Sequence, residues 1–179
     1  MTTLKIHGKQ FKTFIPENEV LAAVERIAQQ INQDYQGKNP LIVGVLNGSF
    51  MFISDLFKCL SIEAEIAFVR LKSYEGMKSS GEVITALGLD VELNGRDVIL
   101  VEDIVDTGKT LHDFLPVLKN MQPSSLRIAT LLHKPDARKY SFELDYCCFT
   151  IPNVFVLGYG LDYDGLGRNT RDLLKLVDD

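Results

Sequence analysis

The fold is decided by Val98-Ile99-Leu100-Val101-Glu102-Asp103-Ile104-Val105-Asp106-Thr107-Gly108-Lys109-Thr110-Leu111. Its first four residues form an unbroken apolar run, the pattern of a strand covered on both faces in a parallel sheet. The run finishes on acid, and small and hydroxylated residues then surround a glycine. Leu111, Phe114 and Leu115 follow at helical spacing, which predicts a helix from about Lys109 to Asn120. Strand, polar turn and helix in that order make one half of a β-α-β unit.

The same alternation recurs on both sides. Residues 4 to 14 are expected to be short strands turning at Gly8-Lys9, after which Pro16 opens an amphipathic helix with Val20, Leu21, Val24, Ile27, Ala28 and Ile31 on one face. That stripe is read as core. Leu41 to Leu46 is a second buried-strand run, ended by an Asn47-Gly48 turn, and Ser49 is expected to cap a helix through about Leu60. Ile62 to Arg70 alternates as a strand with Ile62, Ala64, Ile66 and Phe68 on one side. The Gly/Ser-rich segment from Ser73 to Gly81 is expected to be a mobile excursion. Leu126 to Leu132 and Val154 to Leu157 are further apolar runs, and Cys147-Cys148 reads as strand core. The class is therefore α/β, with a mainly parallel sheet flanked by helices.

Composition narrows the function classes. With 46% hydrophobic and 24% charged residues, the 179-residue chain has enough apolar material for a compact core and is not disordered. Nineteen basic residues against 24 acidic give a net charge of −5, which argues against a surface built to grip nucleic acid. Three cysteines, Cys59, Cys147 and Cys148, form neither a disulfide framework nor a zinc pattern and suit a reducing compartment. His7, His112 and His133 lack metal-ligand spacing. Neither a signal peptide nor a membrane span is visible, so the expected location is cytoplasmic.

In open parallel sheets ligands sit beyond the carboxyl ends of the strands. There Glu102, Asp103 and Asp106 place three carboxylates within five residues, an arrangement that calls for a cation or a hydroxyl-rich ligand. Glu102 and Asp103 would point to opposite faces of a regular strand, so the chain is expected to be turning already at this point. Asp106 to Thr110 puts small residues and backbone N–H groups at a helix N-terminus, a cradle for phosphate. Simple capping by Asp106 or Thr107 is the structural alternative. Gly108-Lys109-Thr110 is not a triphosphate P-loop, because Asp103 stands where that pattern requires glycine.

The whole stretch from Val98 to Leu111 resembles the phosphoribosyl-diphosphate signature of the type I phosphoribosyltransferases, and its wording is closest to the hypoxanthine (6-oxopurine) members. The resemblance covers most of residues 41 to 168. Leu46-Asn47-Gly48-Ser49 falls at that family's pyrophosphate loop, with the uncharged Asn47 where many relatives carry a basic residue. Leu71-Lys72-Ser73-Tyr74 opens its mobile catalytic loop. Leu131-Leu132-His133-Lys134 and Phe155 to Tyr163 resemble its purine-binding strand ends.

The resemblance implies a magnesium-dependent transfer of phosphoribose from 5-phosphoribosyl 1-diphosphate to a 6-oxopurine base. By its terms Asp106 is the catalytic acid or base at purine N7. Glu102 and Asp103 hold the ribose hydroxyls and their metal, with Asp162 near a second metal position. Asp106, Thr107, Gly108, Lys109 and Thr110 bind the ribose phosphate, with the Lys109 side chain facing solvent. Asn47, Gly48 and Arg168 meet the pyrophosphate, and Ser73 and Tyr74 belong to a lid. Lys134 reads the 6-oxo group, Phe155 stacks on the base, and Val156 offers backbone groups to its edge. The family also implies a small hood from roughly residues 1–15 and 150–179, and a homodimer or homotetramer. Three alternatives stay open: a xanthine-preferring relative, an RNA-binding regulator on the same fold, and an α/β binding domain without turnover.

Overall fold

The computed structural model describes residues 3–75, 82–88 and 90–177. A six-stranded sheet forms its centre, built from β3 (Leu41–Leu46), β4 (Glu65–Glu75), β5 (Glu82–Leu87), β6 (Asp97–Val105), β7 (Ser125–His133) and β8 (Tyr146–Thr150). The strand order is β5-β4-β3-β6-β7-β8, with every pair parallel except the β4–β5 hairpin. Helices α1 (Glu17–Asp34) and α2 (Phe50–Lys58) cover one face. There Val24, Ile27 and Ile31 pack with Ile42, Ile99 and Val101. Helix α3 (Lys109–Asn120) covers the other, where Phe114 and Leu118 meet Val43, Val98 and Leu100. The strands are apolar on both sides because both sides are roofed.

A second sheet joins the two ends of the chain: β1 (Thr3–Ile6), β2 (Lys9–Ile15), β10 (Leu173–Leu176) and β9 (Val156–Leu157), in that order and antiparallel throughout. Its apolar side is Ile6, Phe11, Leu157 and Leu174. The run from Val154 to Leu157 thus belongs to this small sheet and not to the parallel one, because its partner is β10. The fifth parallel strand is instead β8, which carries Cys147 and Cys148.

Several local expectations change. Ser49 stands at the N-cap of α2 without capping it, since its buried hydroxyl donates back to the Val45 carbonyl at 2.6 Å. Helix α2 ends at Lys58, and β4 begins only at Glu65. The alternation in β4 is real, but Ile66 and Phe68 are 40% and 38% exposed, while Val69 on the opposite face is buried. Ser73 and Tyr74 lie in β4 and pair with Ile84 and Val83, so no excursion starts at Ser73. Residues 76–81 lie outside the described residues. Helix α1 receives its N-terminal cap from afar: Pro16 has no side-chain acceptor, and the Glu17 N–H donates to Asp172 Oδ1 at 2.9 Å.

Candidate active site

Strand β6 runs straight through to Val105, so the chain is not turning at Glu102 and Asp103 as the sequence suggested. Both carboxylates still line one cavity. The Asp103 N–H donates to Glu102 Oε1 at 3.1 Å, and the Ile104 N–H donates to Asp103 Oδ1 at 2.8 Å. Glu102 is buried. Burial first, and the Asp103 charge second, push its carboxyl well above the usual carboxylate range. Burial also raises Asp103, against hydrogen bonds from Glu102 and Ile104 and the nearby Arg168 guanidinium, which lower it.

Beyond Val105 the chain turns through Asp106, Thr107 and Gly108 into α3. Gly108 takes φ +81° at the helix N-cap, a left-handed conformation that glycine adopts without penalty, and a Cβ there would press on the Phe142 ring. No side chain caps the helix. The turn is held from outside, where the Lys139 and Tyr140 N–H groups both donate to the Thr107 carbonyl, at 2.9 and 3.2 Å. The Lys109 ammonium pairs with Asp113 at 2.7 Å, one helical turn on. What the turn offers a ligand is therefore backbone N–H groups, the Thr110 hydroxyl and the positive end of α3.

A cavity of about 370 Å³ opens over this turn. Its walls include Asn47, Gly48, Glu102, Asp103, Asp106, Thr107, Gly108, Thr110, Asp162 and Arg168. The Leu46–Asn47 peptide is cis. Gly48 lies so close to β6 that a Cβ would overlap the Asp103 carboxylate. From the opposite side Arg168 donates to the Gly160 carbonyl at 2.7 Å and pairs with Asp162 at 2.7 Å.

A second cavity, about 220 Å³, is lined by Lys134, Phe155, Val156 and Leu161, together with Asp103, Ile104, Asp106 and Asp162. The last four line both cavities, so the two meet at the acids. Lys134 is 6% exposed, and its ammonium donates to Asp106 Oδ2 at 2.9 Å. A buried ammonium needs such a partner. The register makes the meeting unavoidable: Val105 pairs with His133, and the Lys134 N–H donates to the Val105 carbonyl at 2.9 Å. Phe155 is 44% exposed, lines the cavity, and packs against the Tyr163 ring at 5.4 Å and the Phe11 ring at 6.1 Å.

The fold thus brings together all the residues expected at the site except three. Ser73 and Tyr74 are placed only by backbone, and the Lys109 side chain is engaged with Asp113. Asp162 is held by Arg168 and by the Gly165 N–H, and no group of three His, Cys, Asp or Glu converges among the described residues. Sequence reasoning missed Leu71, Ile104 and Leu161 as lining residues, which look like ordinary core positions. It also missed the role of Gly160, for which the Gly158-Tyr159-Gly160 pattern was the available signal.

A family model, the phosphoribosyl transferase domain, matches residues 15–164. The hypoxanthine-guanine phosphoribosyltransferase of Streptococcus pyogenes is 42% identical over 159 residues, 88% of each chain, and that of Streptococcus mutans is 43% identical over the same span. Among solved structures, a hypoxanthine-guanine phosphoribosyltransferase of Bacillus anthracis superposes with a TM-score of 0.86 at 34% identity, covering 93% of this chain and 98% of its own. The hypoxanthine phosphoribosyltransferase of Trypanosoma cruzi gives 0.85 at 38% identity, covering 93% and 95%. Sequence match and superposition agree, and the chain belongs to the type I phosphoribosyltransferase family, alongside the hypoxanthine-guanine phosphoribosyltransferases.

Proposed function

We propose that this chain is a purine-salvage transferase that joins hypoxanthine, and guanine, to the ribose of 5-phosphoribosyl 1-diphosphate, yielding IMP or GMP and pyrophosphate. The observation that carries the base assignment is the Asp106–Lys134 contact. On a 6-oxopurine, N7–H and the 6-oxo oxygen lie side by side, a donor next to an acceptor. A carboxylate and an ammonium 2.9 Å apart present the complementary pair. Lys134 has three N–H donors, so it can keep Asp106 and still reach the oxygen. A 6-amino purine would point hydrogens at that ammonium and be rejected.

The base rests on Phe155 with its edge toward the Val156 backbone. Its N9 lone pair attacks ribose C1 as the bond from C1 to the diphosphate oxygen breaks, through a transition state with oxocarbenium character. Asp106 takes the N7 proton that the base must lose. The 5′-phosphate sits in the turn from Asp106 to Thr110, and the diphosphate lies toward Asn47, Gly48 and Arg168. The guanidinium of Arg168 suits that anion.

Magnesium fits the acids present. Glu102 and Asp103 are adjacent, the first buried and the second half-buried, both are raised by burial, and a divalent cation or ribose hydroxyls would relieve them. The lack of an all-protein cage among the described residues matches an ion that takes most of its ligands from substrate phosphates and water. Glu102 and Asp103 would hold it on the ribose side and Asp162 near the base, where it supplies charge for the leaving pyrophosphate.

Cytoplasmic location and assembly as a homodimer or homotetramer belong to the same reading. No helix among the described residues is long and apolar enough to cross a membrane. The exposed Ile66 and Phe68 of β4 are apolar surface suited to a second copy. The test is a magnesium-dependent assay with phosphoribosyl diphosphate and hypoxanthine, guanine, xanthine or adenine in parallel. Nucleotide from the first two and none from adenine is expected. Equal rates with adenine would overturn the role of Lys134, and silence with every base would overturn the enzyme.

A further inference from the structure

Tyr159 is 1% exposed and stands at φ +47°, between Gly158 at +97° and Gly160 at +101°. Three left-handed residues in a row persist only where their surroundings hold them. The backbone side is held by the strap that follows, since Tyr159 N–H donates to the Thr170 carbonyl at 2.9 Å and Gly160 N–H to the Arg168 carbonyl at 3.0 Å. The other hold comes from α2, where the Tyr159 phenol donates to Asp55 Oδ2 at 2.6 Å, across 104 residues of chain. Asp55 also pairs with Lys58 at 2.5 Å, so its charge is balanced on the outer side of the helix.

The turn so fixed touches the cavity at two points. Its Gly160 carbonyl receives Arg168, and the Gly160 Cα packs so tightly on the Gly48 carbonyl that a Cβ would overlap it. Gly48 in turn abuts the Asp103 carboxylate. Direct contacts therefore lead from Asp55, which lines neither cavity, through Tyr159 and Gly160 to Arg168 on one side and to Gly48 and Asp103 on the other.

We infer that the Asp55–Tyr159 hydrogen bond is a positioning pair for the diphosphate end of the cavity, setting the spacing between the 158–160 turn and Gly48 and so the aim of Arg168. The inference rests on the placement of diphosphate at Gly48 and Arg168 proposed above. The base end depends on it less, because Lys134 and Asp106 are fixed by β6 and β7.

The test compares the full-length chain with Y159F, D55A, D55N and R168A, measuring KM for each substrate, kcat and the melting temperature. Y159F and D55A are each expected to raise KM for phosphoribosyl diphosphate roughly 5- to 20-fold, the worth of one hydrogen bond at a buried site, with KM for hypoxanthine within about 2-fold. D55N keeps an oxygen that accepts the phenol and is expected to restore the KM. A fall in melting temperature with the two KM values unmoved, or moved together, would show a merely structural tie and overturn the inference. If R168A itself leaves KM for the sugar diphosphate unchanged, the diphosphate end is misplaced and the inference falls with it. If R168A raises that KM and Y159F does not, the site stands and the coupling alone fails.

Discussion

Asp106 lines both cavities and accepts from the Lys134 ammonium. Replacing it by Asn keeps size and polarity while removing the proton acceptor. D106N is expected to lower kcat by roughly 10²- to 10⁴-fold and to leave binding of phosphoribosyl diphosphate nearly intact. Single-turnover rates and equilibrium titration with the sugar diphosphate separate the two, and an equal loss of both would make Asp106 a binding group. K134M removes the donor to the 6-oxo group and is expected to cost roughly 10- to 100-fold in kcat/KM for hypoxanthine while narrowing the gap to adenine. Unchanged discrimination in parallel base assays would rule that out. At this scale the sequence was readable where the chemistry is contiguous: Glu102 through Thr110 sit on one strand end and one turn. Their contact with Lys134 was not readable, because it depends on Val105 and His133 sharing a register that neither sequence segment records alone.

Elements show where local rules give way to tertiary ones. Pro16 correctly marks the start of α1, yet its capping acceptor is Asp172, which also accepts from the Thr13 hydroxyl at 3.0 Å. D172A is expected to cost about 1–2 kcal/mol in denaturant unfolding, the upper range for a lost N-cap, with faster amide exchange in the first turn of α1. Exchange unchanged from the native rate would show that water replaces the cap fully. Nothing near residue 17 signals this partner, so pattern reading could place the helix and not its cap. Ile66 and Phe68 teach a related lesson. Period-two alternation names the two faces of β4, while which face is roofed depends on how far α2 reaches over the sheet.

For the whole molecule, three buried tyrosines resist ionisation, and two of them, Tyr146 and Tyr159, tie distant parts together by donating to Asp34 and Asp55. Burial is the leading cause that raises Tyr35, Tyr146 and Tyr159 above their ordinary value near 10. In the unfolded chain each titrates at about 10. Above that pH the unfolded state gives up protons that the folded state keeps, so stability falls as pH rises, and below it these groups contribute no slope. Urea midpoints are therefore expected to begin falling between about pH 8 and 9, where burial of the Cys147 and Cys148 thiols acts with the same sign, and to drop more steeply between about pH 10 and 11. Y159F is expected to flatten part of that drop, and an identical profile would remove Tyr159 from the account. The α/β class was plain in the sequence because strand and helix alternate locally. The second sheet was not plain from pattern, because β2 finds β10 across nearly the full chain.

That long-range pairing sets an order of events during synthesis. Strands β6 and β7, with Glu102 in the first and Asp106 and Lys134 just past their ends, leave the ribosome before β10, and domains begin to assemble as they emerge. Phe155 and Val156, however, are held through β9, whose partner in the sheet is β10. The turn that takes the sugar phosphate can therefore take shape before β10 has been made, whereas the platform for the base waits for β10.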